Sequence, residues 1–377
     1  MFSINRVIIE ESKIQHNIEL IKSKLNKVEG KEPIIIAVLK GNAYGIGYET
    51  MLQKLLENGI NHFAVSKVSE AIDIRNLGNN NPILVLNATA MYDEATLIAQ
   101  NNLTATVGSI ESLRMLQKAA EENNKTIDIH LKIDTGFSRF GFDYEKLTDE
   151  FIKEIKAELE KCDRLNLVGT YTHFIEAYAN DDKTTKLQFD RFINVLARLK
   201  QNGINSGITH CANSSAFFKY PMMQLDAVRI GSAFSGRLQI KEKTGLHRVG
   251  YLESEICEIR EIQKDRKIGY SGTYTLKRDS KVAIVEAGYS DGIFVSGPKD
   301  SARAIDKLRA LKKAVAGLFK DGNRYVVIND KIVPILGRVG MNNFMVDVTD
   351  IDCNVGDKVK IDVNLVFTNQ KIERIMN

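Results

Sequence analysis

The sequence predicts an α/β protein: an N-terminal (β/α)8 barrel of the TIM type followed by a mostly β C-terminal domain. Three observations carry this expectation. Short β-branched runs alternate with amphipathic helical stretches through the first two-thirds of the chain, the order that builds a parallel sheet. Eight such units fall within about 225 residues, close to the ~250 usual for the barrel. After about residue 240, strands follow one another with little helix between them. A doubly wound open sheet accommodates the same alternation, and the count of eight favours the barrel. The expected boundaries are 10–238 for the barrel and 239–377 for the β domain, with 1–9 as an N-terminal strand joining the latter.

In chain order the expected barrel strands are Ile34–Leu39, His62–Ser66, Ile83–Asn87, Leu103–Val107, Ile127–Asp134, Leu167–His173, Ile208–Cys211 and Ala227–Ile230. Ser12 is a candidate N-cap for a helix with Ile14, Ile18, Ile21 and Leu25 on one face, ended by Glu29-Gly30. Gly59 closes a helix carrying Met51, Leu52, Leu55 and Leu56; Glu111–Asn123 and Thr184–Gln201 show the same period. The fifth strand alternates Ile127, Ile129, Leu131 and Ile133 with Asp128, His130, Lys132 and Asp134. A barrel strand is covered by helices outside, so the charged set should point inward, where it needs partners. In the β domain Glu253–Ile262, Lys281–Ala287, Arg324–Gly340, Asn343–Val348 and Lys358–Val363 read as strands, and Ser301–Phe319 as a basic helical insert.

Composition narrows the partners. The chain has 377 residues, 44% apolar and 27% charged, which places it in the globular class. Its net charge of +4 is not gathered into a basic block, which argues against nucleic acid. No run reaches the ~18 apolar residues of a membrane span. The start, Met1-Phe2-Ser3-Ile4-Asn5-Arg6, lacks a signal-peptide layout. Four scattered cysteines, Cys162, Cys211, Cys257 and Cys353, give neither a disulfide framework nor a zinc pattern. A cytoplasmic protein without a metal is expected.

Barrel enzymes carry their chemistry at the C-terminal ends of the strands and often hold a phosphate after strands seven and eight. The first strand stops at Lys40, followed by Gly41-Asn42-Ala43-Tyr44-Gly45. A lysine at a crowded barrel mouth loses protons readily and suits Schiff-base chemistry; alone, it reads better as a strand-end lysine reaching for water. Strand six ends at His173, strand seven at His210-Cys211-Ala212-Asn213-Ser214, and strand eight carries Arg229 before Gly231-Ser232. Ser214 with the backbone of Gly231 and Ser232 is suited to a phosphate. A lysine-bonded, phosphorylated carbonyl cofactor is pyridoxal 5′-phosphate.

With those residues in place, Ala37-Val38-Leu39-Lys40-Gly41-Asn42-Ala43-Tyr44-Gly45 resembles the cofactor-lysine motif of the alanine racemase family. Lys132–Gly141, Tyr171-Thr172-His173-Phe174, His210–Ser214, Val228–Gly231, Gly269–Tyr274, Ala287–Gly292 and Gly337–Met341 follow that family's signatures in order, over roughly residues 5–345. The resemblance implies a homodimer with shared active sites and racemisation of a free amino acid, above all alanine. It implies that Lys40 bonds the cofactor and acts as one base while Tyr270 of the other subunit acts as the second. Inverting a carbon needs a proton removed on one face and returned on the other, so two groups must flank the cofactor. The resemblance further gives Tyr44, Asn213, Ser214, Gly231 and Ser232 to the cofactor, chiefly its phosphate. Arg229 falls to the ring nitrogen, His173 to a chain linking Arg229 and Tyr270, Arg139 and, from the other subunit, Met341 to the substrate carboxylate, and Tyr289 to the access channel. Lys132 matches a position often carbamylated.

Three departures stand out: Asn342 where the family has aspartate, the insert Ser301–Phe319, and a tail without the family's late tyrosine, the last tyrosine here being Tyr325. The last of these opens a broader-specificity alternative that accepts serine, lysine or ornithine. More remote alternatives are a pyridoxal-phosphate-dependent basic amino-acid decarboxylase and a non-catalytic single-barrel protein that binds the cofactor.

Overall fold

The computed structural model describes residues 4–27, 30–296, 308, 311–312 and 324–377. It divides into two compact units, Ser12–Val249 and a second formed by the chain up to Glu11 together with Gly250–Asn377.

In the first unit parallel strands run in the spatial order Ile83–Val85, His62–Val65, Ile34–Val38, Ala227–Ile230, Ile208–Asn213, Leu165–Tyr171, Ile127–Asp134 and Ala105–Val107. The ends of this order meet through a bridge between Leu84 and Thr104. There the Val85 N–H donates to the Thr104 carbonyl and the Thr104 N–H to the Ile83 carbonyl, both at 2.9 Å, so the eight-stranded ring all but closes. Parallel neighbours need crossovers, and helices such as Tyr48–Glu57, Ile110–Glu122, Asp149–Lys161 and Lys183–Gln201 provide them. Each buries one stripe: Leu113, Leu116 and Ala120 in one case, Phe192, Val195 and Leu199 in another. Every large apolar side chain so buried contributes about 1.5–3 kcal/mol. Helix starts are set locally, by Ser109 Oγ accepting the Ser112 N–H and Thr148 Oγ1 accepting the Phe151 N–H.

On the strand Ile127–Asp134, Ile127, Ile129, Leu131 and Ile133 are buried, and so are His130 and Lys132, while Asp128 at its open end is exposed. His130 gets its room from Gly169 on the adjacent strand, where a Cβ would lie 2.4 Å from His130 Cε1.

Three local expectations are corrected. The first helix spans Glu11–Ser23, so Ser12 lies inside its first turn rather than capping it, and Leu25 lies beyond its end. Tertiary contact stops it early: buried Gln224 accepts the Asn26 N–H at 2.6 Å and donates to the Lys24 carbonyl at 3.1 Å. Glu29 lies outside the described residues. The stretch Arg324–Gly340 is a hairpin, Tyr325–Ile328 with Lys331–Leu336, turned at Asn329 and Asp330, both left-handed at φ 48° and 59°. The tail adds a strand, Glu373–Met376.

The second unit is organised by one 13-residue strand, Gly250–Ile262. It pairs with Arg6–Ile9, Lys358–Ile361 and Ser280–Val285, all antiparallel. From Ser280–Val285 the ladder continues through Phe344–Asp347, Lys331–Leu336 and Tyr325–Ile328 back to Lys358–Ile361, so the sheet returns on itself. Arg6–Ile9 pairs in parallel with Glu373–Met376 on its other side. Apart from 308 and 311–312, the expected insert Ser301–Phe319 lies outside the described residues. Among the described residues no helix is long and apolar enough to cross a membrane.

The Gly169–His130 approach yields a stability test. Gly169→Ala is expected to lower the unfolding free energy by about 1–3 kcal/mol in urea titrations, and the loss should disappear in a His130→Ala background.

Candidate active site

Strand Ile34–Val38 delivers Lys40 to the C-terminal mouth of the barrel, and the chain then winds left-handed. Gly41, Asn42, Ala43 and Tyr44 have φ of 62°, 53°, 53° and 56°. Such a conformation costs a non-glycine residue roughly 1–2 kcal/mol, so three in succession must be held from outside. The Ala43 N–H donates to the Leu39 carbonyl at 2.7 Å, and the Gly45 N–H to the Gly41 carbonyl at 3.0 Å. Asn42 Oδ1 accepts the Tyr48 N–H at 2.9 Å, and Glu70 accepts the Gly41 N–H at 2.7 Å. The turn folds Tyr44 back until a Cβ at Gly231 would sit 2.5 Å from its hydroxyl, which is why glycine is required there. Burial, then Glu70, pushes the Tyr44 phenol up to about 12, so it stays a hydrogen-bond donor. Lys40 is open to solvent by area, yet crowding of its amine and then Arg139 lower its pKa, against a smaller opposing pull from Glu70.

Lys40, Tyr44, His173, Asn213, Ser214, Arg229, Gly231 and Ser232 line one cavity of about 180 Å³, with Val38, Leu86 and Ser215. Ser214 Oγ accepts the Gly231 N–H at 3.0 Å, joining the ends of the seventh and eighth strands. Helix Ser214–Lys219 is capped by Asn213, whose Oδ1 accepts the Ser215 and Ala216 N–H groups at 3.1 and 3.0 Å. Capping therefore falls to Asn213 and leaves Ser214 to the cavity.

Arg229, only 3% exposed, anchors the inner wall. It donates to the carbonyls of Thr172 at 2.8 Å, Cys211 at 3.1 Å and His210 at 3.2 Å. It also donates to His210 Nδ1 at 2.7 Å and His173 Nδ1 at 3.3 Å. A guanidinium only donates, so both imidazoles carry their proton on Nε2. His210 Nε2 then donates to His130 Nδ1 at 2.9 Å. Burial and then Arg229 hold His173 and His210 well below the ordinary histidine value and His130 at about 4, so all three are neutral. His210 and His130 have no role that strand-end position alone reveals; their inward places on alternate strands are the signal that marks them.

Lys132, 5% exposed, lies in a pocket with Asp134, Arg139, Phe140 and His173. Its Nζ sits 5.1 Å from the Tyr171 ring centroid and 5.4 Å from that of Phe140. Burial, then Arg229 and Arg139, bring it to about 7, against Asp134. Arg139 stacks on Phe137, 4.3 Å from the ring centroid, and borders a further cavity of about 340 Å³.

Tyr270, Tyr289 and Met341 belong to the second unit and are exposed. They meet around Gly340: the Tyr289 N–H donates to its carbonyl at 3.1 Å, and a Cβ on it would lie 3.6 Å from the Tyr270 ring. Ser290 Oγ donates to the Met341 carbonyl at 2.7 Å and lies 3.0 Å from Asn342 Oδ1. Among the described residues no cluster of three or more metal-ligating side chains occurs.

Residues 9–239 match the family model for the alanine racemase N-terminal domain, and residues 249–373 the model for its C-terminal domain. The alanine racemase of Methanococcus maripaludis is 34% identical over 358 residues, covering 94% of this chain and 87% of the relative. Alanine racemase 2 of Caldanaerobacter subterraneus is 30% identical over 374 residues, covering 98% and 87%. Among solved structures, alanine racemase of Clostridium difficile superposes with a TM-score of 0.84 at 25% identity, covering 100% of this chain and 96% of that one.

The Lys132 environment predicts a pH effect. Between about 7, its value in the fold, and the ordinary lysine value near 10.5, the unfolded chain holds a proton that the folded chain has released. This group therefore makes stability rise with pH across that window. Urea titrations from neutral to alkaline pH should show that rise, and Lys132→Met should flatten it.

Proposed function

Because this chain belongs to the alanine racemase family, we propose that it interconverts L- and D-alanine by a two-base reaction, with pyridoxal 5′-phosphate as cofactor. Members of this family are pyridoxal-phosphate-dependent amino-acid racemases. The observation that carries the proposal is the convergence of Lys40, Tyr44, His173, Ser214, Arg229, Gly231 and Ser232 on one cavity at the barrel mouth.

The residues fit the cofactor. An amine of lowered pKa lies beside small hydroxyl and glycine positions, and a Cβ at Gly231 would fill the cradle. Lys40 would bond the cofactor's aldehyde; Ser214, Tyr44 and the backbone at Gly231 and Ser232 would hold its phosphate, with Asn213 setting the helix start beside them. When bound, the cofactor supplies an electron-withdrawing ring that makes the substrate Cα–H acidic. Arg229 cannot give up its proton, so it would meet the cofactor's ring nitrogen only as a donor, which would restrain the electron sink and favour racemisation over amino transfer. Lys40 serves as the base on one face. Tyr270, contributed by a second copy in a homodimer, serves on the other. A phenol ordinarily titrates near ~10, so a phenolate base needs donors and positive charge around it. His173 suits this role, since Arg229 fills its Nδ1 and leaves an Nε2–H to offer. Arg139 and, from the second copy, the Met341 backbone would take the substrate carboxylate, with Tyr289 along the access channel. Lys132 near neutrality retains the unprotonated amine that adds carbon dioxide, releases a proton and becomes an anionic carbamate beside Arg139.

Racemisation and solvent-deuterium exchange at Cα test the two bases together. Tyr270→Phe is expected to cut racemisation by roughly 10²–10⁴-fold while leaving exchange from one enantiomer, and Lys40→Ala to abolish the lysine-bound cofactor. Wild-type rates for both enantiomers in Tyr270→Phe would refute the mechanism, and carbon dioxide release would mark a decarboxylase. The match over 249–373 supplies a second domain that the single-barrel reading lacks. The absence of tyrosine after Tyr325 supports a second reading, broader substrate scope. Measurable rates on serine, lysine or ornithine would bear it out, and activity on alanine alone would refute it.

A further inference from the structure

We propose that Glu70 is the positioning residue for Lys40, its carboxylate clamping the left-handed turn that begins at the lysine to the end of the next barrel strand. The proposal rests on the role given to Lys40 above. Glu70 lies in the first turn of helix Val68–Asn76. One oxygen, Oε1, accepts the Gly41 N–H at 2.7 Å. The other, Oε2, accepts the Ser66 N–H at 2.9 Å and the Lys67 N–H at 3.1 Å. A single half-buried side chain thus ties the mouth end of Ile34–Val38 to that of His62–Val65. Both oxygens are engaged, so the carboxylate cannot swing, and bonds to an ionised acceptor are roughly twice as strong as neutral ones.

The position of the clamp is what gives it consequence. The Gly41 N–H belongs to the peptide plane that joins Lys40 to Gly41, so fixing its direction fixes the backbone torsion from which the lysine side chain departs. The same bond holds the first residue of a strained run that would otherwise relax. Glu70 also sets the charge balance around the amine. Arg139, Tyr44 and His173 face Lys40 as well; Arg139 opposes its protonation, whereas Glu70 favours it. The lysine is therefore aimed by a bond to its neighbour and tuned by the charge of the same group.

Two variants of the cofactor-loaded enzyme separate aim from charge. Glu70→Gln keeps an acceptor for Gly41 and loses the anion. Its Gly41 amide exchange should stay near wild type, while the pH midpoint of the visible absorbance of the lysine-bound cofactor moves lower. Glu70→Ala loses both: Gly41 exchange should rise about tenfold or more, and kcat should fall by up to ~10²-fold with little change in KM. Wild-type exchange in Glu70→Ala, or an unmoved midpoint in Glu70→Gln, overturns the proposal. If Glu70→Ala does not fold, Glu70→Gln alone decides through its midpoint. A Lys40→Ala protein that keeps the wild-type visible band would instead overturn the reading of Lys40 itself.

Discussion

A guanidinium buried with no counter-anion among the described residues governs this barrel. Charges removed from water are costly unless hydrogen-bonded, and the two terminal nitrogens of Arg229 donate to three carbonyls and two imidazole nitrogens, all neutral acceptors. The acceptors engage its terminal N–H groups and leave its charge in place. Groups nearby respond: Arg229 is among the causes that lower His130, Lys132, His173 and His210. Burial and then Arg229 keep the imidazoles neutral, and Arg229 fixes the sense in which they donate, from Arg229 through His210 to His130 in one direction and into His173 in the other.

This polarity links interior to mouth. His173 reaches the cavity as a neutral donor because its other nitrogen is taken from within. On the opposite wall the constraint is conformational. The left-handed turn after Lys40 spends backbone energy to place Tyr44 against Gly231, and bonds from Leu39, Tyr48 and Glu70 offset it. A fixed charge on one side and a fixed turn on the other leave little for a bound ligand to reorganise, the condition under which positioned acid–base groups are effective.

Much of this could be read from the residues. Strand Ile127–Asp134 alternates so cleanly that its span and inward set follow from period alone, since a slip of one residue would bury Asp128 and expose Ile129. Lys40, His173, Ser214, Arg229 and Gly231 were legible as strand ends, because a parallel barrel sends all such ends to one face. What could not be read depends on partners distant in sequence. The first helix ends at Ser23 because Gln224 captures the next backbone groups, and the hairpin at Asn329-Asp330 lacks the glycine that usually marks a turn. Strand Glu373–Met376 forms only beside Arg6–Ile9, and the tautomers of His130 and His210 depend on Arg229, some twenty to a hundred positions away. Glu70 reads in sequence as an ordinary helix-start acid; its second contact, with Gly41, exists only in the fold.

The claim that Arg229 orders its surroundings is tested most directly by nitrogen-15 NMR of the histidine side chains, which reports charge and tautomer separately. The structure requires His130, His173 and His210 to remain neutral with the proton on Nε2 at a pH of ~6, where an ordinary histidine is largely protonated. Protonation of any of the three at that pH, or an Nδ1–H form of His173 or His210, would contradict it.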